Sequence, residues 1–212
     1  MYSIEELKKY HNQILNMDCI DFMKNVPDKY FDLCCCDPPY GIGDKFKGGK
    51  NSALSKFNNI VEKGWDEKPN QEYFDEIFRI SRNQIIWGGN YFLLKPSRCF
   101  VVWDKCIPDD FSMAMCEYAW TSFDKNAKIY KMPTEKQFRE HPTQKPLKLF
   151  ERLLQNYSEE GQLVLDCFSG SGTTAIACHN LNRNFICIEK DKDYYNASVE
   201  RLNNAKAQLK LF

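Results

Sequence analysis

The sequence predicts an α/β fold: one domain on a doubly wound, mostly parallel sheet, with helices on both faces and a circularly permuted strand order. Three observations carry this. The strand-like run Phe31-Asp32-Leu33-Cys34-Cys35-Cys36 follows an earlier strand and helix and ends in a rigid acidic turn, Asp37-Pro38-Pro39-Tyr40. A glycine-rich turn, Asp166-Cys167-Phe168-Ser169-Gly170-Ser171-Gly172-Thr173-Thr174, lies more than half the chain further on. Such a turn ordinarily follows the first strand of a nucleotide-binding sheet, yet only one further strand and helix come after it. The remaining strands must come from the N-terminus, so the chain starts at the third strand and breaks after the second. At 212 residues and 43% hydrophobic, one full core fits and two large domains do not.

Each element has its own warrant. Gln13 to Met17 reads as a short strand, Cys19 to Asn25 as a helix stopped by Pro27, and Phe31 to Cys36 as a buried strand. Residues 41–64, with five glycines among lysines and asparagines, read as a long mobile loop serving catalysis and nucleic-acid contact. A helix follows over Gln71 to Ser81, then a strand at Gln84 to Trp87, a turn at Gly88-Gly89-Asn90 and a strand at Cys99 to Trp103. Glu117 to Phe123 and Ala127 to Lys131 read as an antiparallel hairpin turning at Asp124-Lys125-Asn126. Next come a helix from Pro146 to Tyr157, a strand from Leu163 to Cys167, a helix from Thr173 to Leu181, a strand from Phe185 to Ile188 and a last helix from Asp193 onward. The two glycines after Trp87 suggest close approach of the backbone to something at the site.

Composition narrows the function classes. Most of the ten cysteines lie in apolar runs and read as buried thiols in a reducing compartment. No Cys-x-x-Cys pair occurs and the three histidines are scattered, so no metal is expected. The N-terminal residues have neither a basic start nor an apolar core, and no run is long enough to span a bilayer, which predicts a soluble, cytoplasmic protein. A formal net charge of zero is awkward for a nucleic-acid partner. The distribution is more favourable: Lys45, Lys47 and Lys50 follow the acidic turn, and Lys125, Lys128 and Arg139 gather later, making these six candidate DNA contacts.

The acidic turn suits chemistry on an amine. An exocyclic nucleobase nitrogen is a poor nucleophile because its lone pair is delocalised into the ring, and methylating it requires acceptors aimed at its N–H bonds. Asp37 and a backbone carbonyl fit that task, Pro38 and Pro39 stiffen the backbone, and Tyr40 offers a face to a flipped base. The glycine turn is less selective. Gly170-x-Gly172-x-x-Ala175, with Glu189 at the next strand end, also satisfies the dinucleotide fingerprint, so the turn alone does not separate NAD from S-adenosylmethionine. A dehydrogenase needs a hydride-transfer site, whereas this chain offers an amine acceptor. A non-catalytic nucleic-acid binder on the same fold would be marked by a damaged turn, and both turns are intact.

With His141-Pro142-Thr143-Gln144-Lys145-Pro146 between the two turns, the chain resembles the amino-group DNA methyltransferases, Rossmann-like enzymes that use S-adenosylmethionine and tolerate this motif order. The resemblance covers both ends and not the middle. It implies that the Asp37 carboxylate and Pro38 carbonyl receive the target amine, and that Asp166, Phe168, Gly170, Gly172 and Thr173 line the methionine side of the cofactor. It gives Glu189 the ribose, Asp18 with Cys19 the cofactor adenine, and Thr143 and Lys145 the methionine carboxylate. Asp18 also reads as a helix N-cap. Aspartate at the first position of the tetrad is commoner in adenine-N6 enzymes and serine in cytosine-N4 enzymes, so N6 of adenine in double-stranded DNA is the expected target and S-adenosylhomocysteine the product. Cytosine-N4, RNA and a protein glutamine remain as alternatives. Residues 104–140 form a short insertion and the candidate target-recognition region; its brevity implies a short site, modest selectivity, or help from a homodimer. A companion restriction endonuclease is a further possible partner.

Overall fold

Strands β1 (Gln13–Leu15), β2 (Phe31–Cys36), β3 (Ser81–Trp87), β4 (Phe100–Asp104), β5 (Cys116–Thr121), β6 (Lys128–Lys131), β7 (Leu163–Asp166) and β8 (Asn184–Ile188) form one sheet in the computed structural model, which describes residues 1–42, 67–108, 114–134 and 144–208. Their order is β1-β8-β7-β2-β3-β5-β4-β6. The first five are parallel, with Leu15 beside Ile188, Asp166 beside Cys187, Cys34 beside Leu165 and Cys36 beside Ile86. β5 runs antiparallel between β3 and β4, and β6 lies parallel to β4 on the outer edge. The strand before the glycine turn, β7, stands centrally with β8 and β1 on one side and β2 and β3 on the other. This is the permuted order expected from the late position of the turn.

Helices α1 (Ile4–Lys9), α2 (Cys19–Met23) and α3 (Gln71–Ile80) cover one face, and α4 (Leu147–Tyr157), α5 (Thr173–Asn180) and α6 (Lys192–Ala207) the other. Alternation along β2 shows how one strand serves both layers. Leu33 and Cys35 pack with Leu149, Leu153 and Ala177, whereas Cys34 and Cys36 pack with Phe22, Phe74 and Ile77. Four helices begin where a side chain takes up free backbone amides. Ser3 and Glu6 form a reciprocal capping box on α1, Asp18 accepts from Ile20 N, Asn70 from Tyr73 N, and Asp191 from Asp193 N and Tyr194 N.

The expected hairpin over 117–131 is not formed. Both edges of β5 are already taken, by β3 and by β4, so the strand at Lys128–Lys131 crosses over and pairs with β4. The antiparallel pairs among the described strands are instead β5 with β3 and β5 with β4. Thr121 Oγ1 donates to Cys99 O at 2.9 Å and Trp103 Nε1 to Met132 O at 2.7 Å, which ties these strands together. β3 begins at Ser81, not Gln84, because α3 passes straight into it; the Ser81 hydroxyl donates to Ile77 O at 2.6 Å and closes the helix. Beyond Gly41 and Ile42, the loop expected over 41–64 lies outside the described residues. Among the described residues no helix is long and apolar enough to cross a membrane.

Arg79 fastens the turn after α2 to α3. Its guanidinium donates to Val26 O at 2.7 Å and Met23 O at 2.8 Å, and pairs with Glu76 at 2.6 Å and Asp28 at 2.8 Å. Replacing it strips a charged donor from two part-buried carbonyls, so Arg79→Met should lower the unfolding free energy by about 2–3 kcal/mol in urea titrations. An unchanged midpoint would show that the clamp contributes nothing.

Candidate active site

Parallel strands deliver their C-terminal ends to one edge of a sheet, and here that edge is acidic. Asp18 lies just beyond β1, Glu189 follows β8, Asp166 ends β7 and Asp37 follows β2. Adjacent strands lie ~4.8 Å apart, so this row spans roughly 14 Å over three steps. The chain leaves β7 toward β8 on one side and β2 toward β3 on the other, which makes the β7–β2 junction the topological switch point. Two turns remote in sequence therefore flank one crevice.

Both oxygens of the Asp37 carboxylate are engaged. Oδ1 accepts the Tyr40 hydroxyl at 2.6 Å and Oδ2 accepts the Lys145 ammonium. Lys145 is buried and also pairs with Glu117 Oε2 at 3.1 Å, while Glu117 Oε1 takes Lys105 at 2.7 Å. Two carboxylates and two ammoniums thus alternate in the order Asp37, Lys145, Glu117, Lys105. Burial alone would favour neutral Lys145, but Asp37 and Glu117 outweigh it and hold its pKa above the ordinary lysine value. Burial would likewise raise Glu117, yet Lys145 and Lys105 bring it below the ordinary carboxylate value. Both groups stay charged at neutral pH. The Lys145 ammonium also lies 5.0 Å from the centre of the Trp87 ring system, a cation–π contact.

Tyr40 and Trp120 account for the paired glycines after β3. A Cβ on Gly88 would fall 2.2 Å from Tyr40 Cε1, and one on Gly89 would fall 2.4 Å from Trp120 Cβ. Gly88 also has φ +65°, a conformation that glycine adopts without strain. The close approach anticipated from these glycines is thus made by Gly88 to Tyr40 and by Gly89 to Trp120. The Tyr40 ring stacks on Tyr91 with centroids 5.0 Å apart. Burial, then Asp37 and Glu117, push the Tyr40 pKa well up, so its hydroxyl remains a donor.

Across the crevice, Asp166 Oδ1 accepts from Phe168 N at 3.0 Å and Oδ2 from Thr174 Oγ1 at 2.5 Å. Burial nevertheless pushes its pKa up to about 7. Glu189 accepts from Gly170 N and Asp191 N, each at 2.8 Å, and burial raises its pKa as well. Gly170 has φ +50°, and a Cβ added there would meet no protein atom within 4 Å; at Gly172 it would press on Ser198 Cβ at 3.1 Å. Asp18 caps α2 through Oδ1 and pairs with Lys190 at 2.9 Å through Oδ2, beside the half-buried Cys19. Phe168 packs on Tyr73, and the Thr173 hydroxyl is taken by Arg201 at 3.1 Å and Ser171 at 3.2 Å.

The structure gathers Asp18, Cys19, Asp37 to Tyr40, Lys145, Asp166 to Thr173 and Glu189 along one edge. Lys145, expected at the cofactor carboxylate, is here committed to Asp37 and Glu117. Lys125 and Lys128 are not part of this group. They bond Asn156 O at 3.2 Å and Asn156 Oδ1 at 2.5 Å, near the end of α4 that leads into the start of β7. Thr143, Lys45, Lys47, Lys50 and Arg139 lie outside the described residues. Sequence reasoning missed Glu117 and Lys105. The available signal was a carboxylate inside an apolar strand, Cys116-Glu117-Tyr118-Ala119-Trp120.

A family model described as DNA methylase, of the N6/N4 type, matches residues 114–200. Type II methyltransferase M2.MboI of Moraxella bovis is 30% identical over 91% of this chain and 88% of its own length. Type II methyltransferase M.HinfI of Haemophilus influenzae is 27% identical over 95% of this chain and 71% of its own. The crystal structure of the M1.HpyAVI–SAM complex aligns with a TM-score of 0.56 and 28% identity, covering 90% of this chain and 98% of that one. With its two turns facing each other across the switch point and this similarity along most of its length, the chain belongs to the amino-group DNA methyltransferase family.

Proposed function

We propose that the protein transfers a methyl group from S-adenosylmethionine to the N6 amino group of adenine in double-stranded DNA, with Asp37 as the acceptor that orients the amine. The observation that carries this reading is the place of Asp37. It leaves the strand beside the glycine turn, and Tyr40 and Lys145 hold its carboxylate. The acidic edge suits the cofactor. Asp18 with Cys19 would read its adenine, Glu189 its ribose hydroxyls, and Asp166 with the 168–173 turn its methionine side, where bare backbone at Gly170 leaves room that a Cβ would fill. Bound there, the cofactor supplies an electrophilic methyl group on a sulfonium.

The chain's own residues do the rest. Asp37 and the Pro38 carbonyl accept the two N–H bonds and draw the nitrogen lone pair out of the ring. Asp37 then faces the positive charge that develops on nitrogen and offers a base for the proton the amine must lose. The Tyr40–Tyr91 stack supplies an aromatic surface for an extruded base. Asp37, where cytosine-N4 enzymes favour serine, supports adenine.

Isotopically labelled S-adenosylmethionine, unmethylated duplex DNA and mass spectrometry of the nucleosides test the target directly. Labelled N6-methyladenine is expected, and N4-methylcytosine would move the activity to the other base. Asp37→Ala should cut transfer by about 100-fold or more and leave cofactor binding in calorimetry largely intact. Loss of cofactor affinity along with activity would contradict the division of labour between the two turns.

Asp166 provides a pH signature. Its native pKa of about 7 exceeds the unfolded value, so its contribution to stability is full below the unfolded pKa and is lost as pH rises through about 7. Asp166→Asn should therefore gain in Tm relative to the parent between pH 5 and pH 8. A cationic cofactor beside Asp166 favours the carboxylate, so binding near pH 7 should release protons, seen as a dependence of the calorimetric heat on buffer ionisation. Buffer-independent heat would place the cofactor's cationic groups away from Asp166.

A further inference from the structure

The Lys145 ammonium presents N–H donors to Asp37 Oδ2, on the carboxylate that the proposed function assigns to the target amine. A buried cation beside that acceptor competes with the amine for the same lone pairs. It would also oppose the positive charge that develops on the attacking nitrogen. Lys145 is not tied to Asp37 alone. Glu117 Oε2 already lies 3.1 Å from its Nζ, and Glu117 is anchored on the far side by Lys105 at 2.7 Å. A small displacement would thus carry the ammonium from one carboxylate to the other without exposing it to water. The Trp87 ring system, 5.0 Å away, provides a polarisable wall for either position.

We propose that Lys145 is a stand-in for the target amine on Asp37, and that Glu117 is the positioning residue that receives its ammonium when the base arrives. The inference rests on Asp37 being the amine acceptor. In the substrate-free enzyme Lys145 keeps the part-buried carboxylate paired and oriented. When the amine docks, its N–H bond replaces that of the ammonium on Asp37, and the Lys145–Glu117 contact tightens. The exchange conserves hydrogen bonds and net charge.

The test compares Glu117→Gln, Lys145→Met and the double variant, using kcat and KM for unmethylated genomic DNA. Glu117→Gln keeps size and shape but weakens the second berth, so Lys145 stays on Asp37. The expected result is a kcat about tenfold lower or more, within the coupling range of directly contacting charged residues, together with a raised KM for DNA. Adding Lys145→Met to Glu117→Gln removes the trapped competitor and should restore most of the loss, a rescue that a purely structural role for Glu117 would not produce. A double variant no better than Glu117→Gln overturns the exchange. Lys145→Met alone leaves Asp37 without its ion-pair partner and Glu117 with Lys105 alone, and is the variant most exposed to misfolding. Glu117→Gln therefore decides independently: unchanged kcat and KM would also overturn the proposal. Failure of the underlying reading looks different, because Asp37→Ala would then retain activity whatever Glu117 and Lys145 do.

Discussion

The pairing of β7 with β2 is the contact on which the site depends. Leu33 beside Val164 and Cys34 beside Leu165 set the register, and Asp32 adds a side-chain bond to Leu163 N at 2.9 Å. That register brings the turn after Asp166 and the turn after Cys36 to the same edge. It is guarded from both faces. A slip of one residue would exchange Leu33 and Cys35 with Cys34 and Cys36 between the two core layers, which are lined by different helices. The packing of α4 and α5 on one side and α2 and α3 on the other thus fixes the distance between the glycine turn and Asp37.

Crowding carboxylates onto a half-buried edge is unfavourable unless each finds compensation, and the protein uses two different means. Asp37 and Glu117 are matched by two lysines, in an arrangement that holds Lys145 and Glu117 in their charged forms. Asp166 and Glu189 receive backbone amides and a hydroxyl instead, with no ion-paired cation among the described residues, and burial moves both toward protonation. The division follows the chemistry. In the proposed function an anionic acceptor orients the amine and faces the charge it gains, whereas the cofactor side would receive a ligand that brings its own positive charge.

Much of the fold was legible because its central strands are buried on both faces and read as unbroken apolar runs. Phe31 to Cys36 is identical in prediction and structure. The N-terminal helix was overlooked although Ser3 and Glu6 form a capping box, because only Leu7 of its six residues is buried and the apolar signal is faint. The hairpin error has a different origin. Alternation identifies a strand but not its partner, and β5 had its free edge occupied by β4, which precedes it in the chain. Among site residues, Asp37 and the glycine turn announced themselves by local composition. The Lys145–Glu117–Lys105 series did not, since it joins three segments whose proximity depends on how β5 inserts between β3 and β4.

In the proposed reaction a lysine beside Asp37 looks unfavourable until the charges are followed through methyl transfer. Positive charge leaves sulfur and grows on nitrogen, so any fixed cation near that nitrogen raises the barrier. Two unit charges 4 Å apart interact by about 4 kcal/mol at an effective dielectric of about 20, and by half that at twice the distance. The position of Lys145 along the line from Asp37 to Glu117 therefore bears on the barrier as well as its presence does. Lys105 matters for the same reason: a Glu117 held too strongly by one cation attracts the second less, and one left unpaired would itself tend toward protonation. Four alternating charges with no net sum let the field at the nitrogen change by moving one ammonium within the cluster.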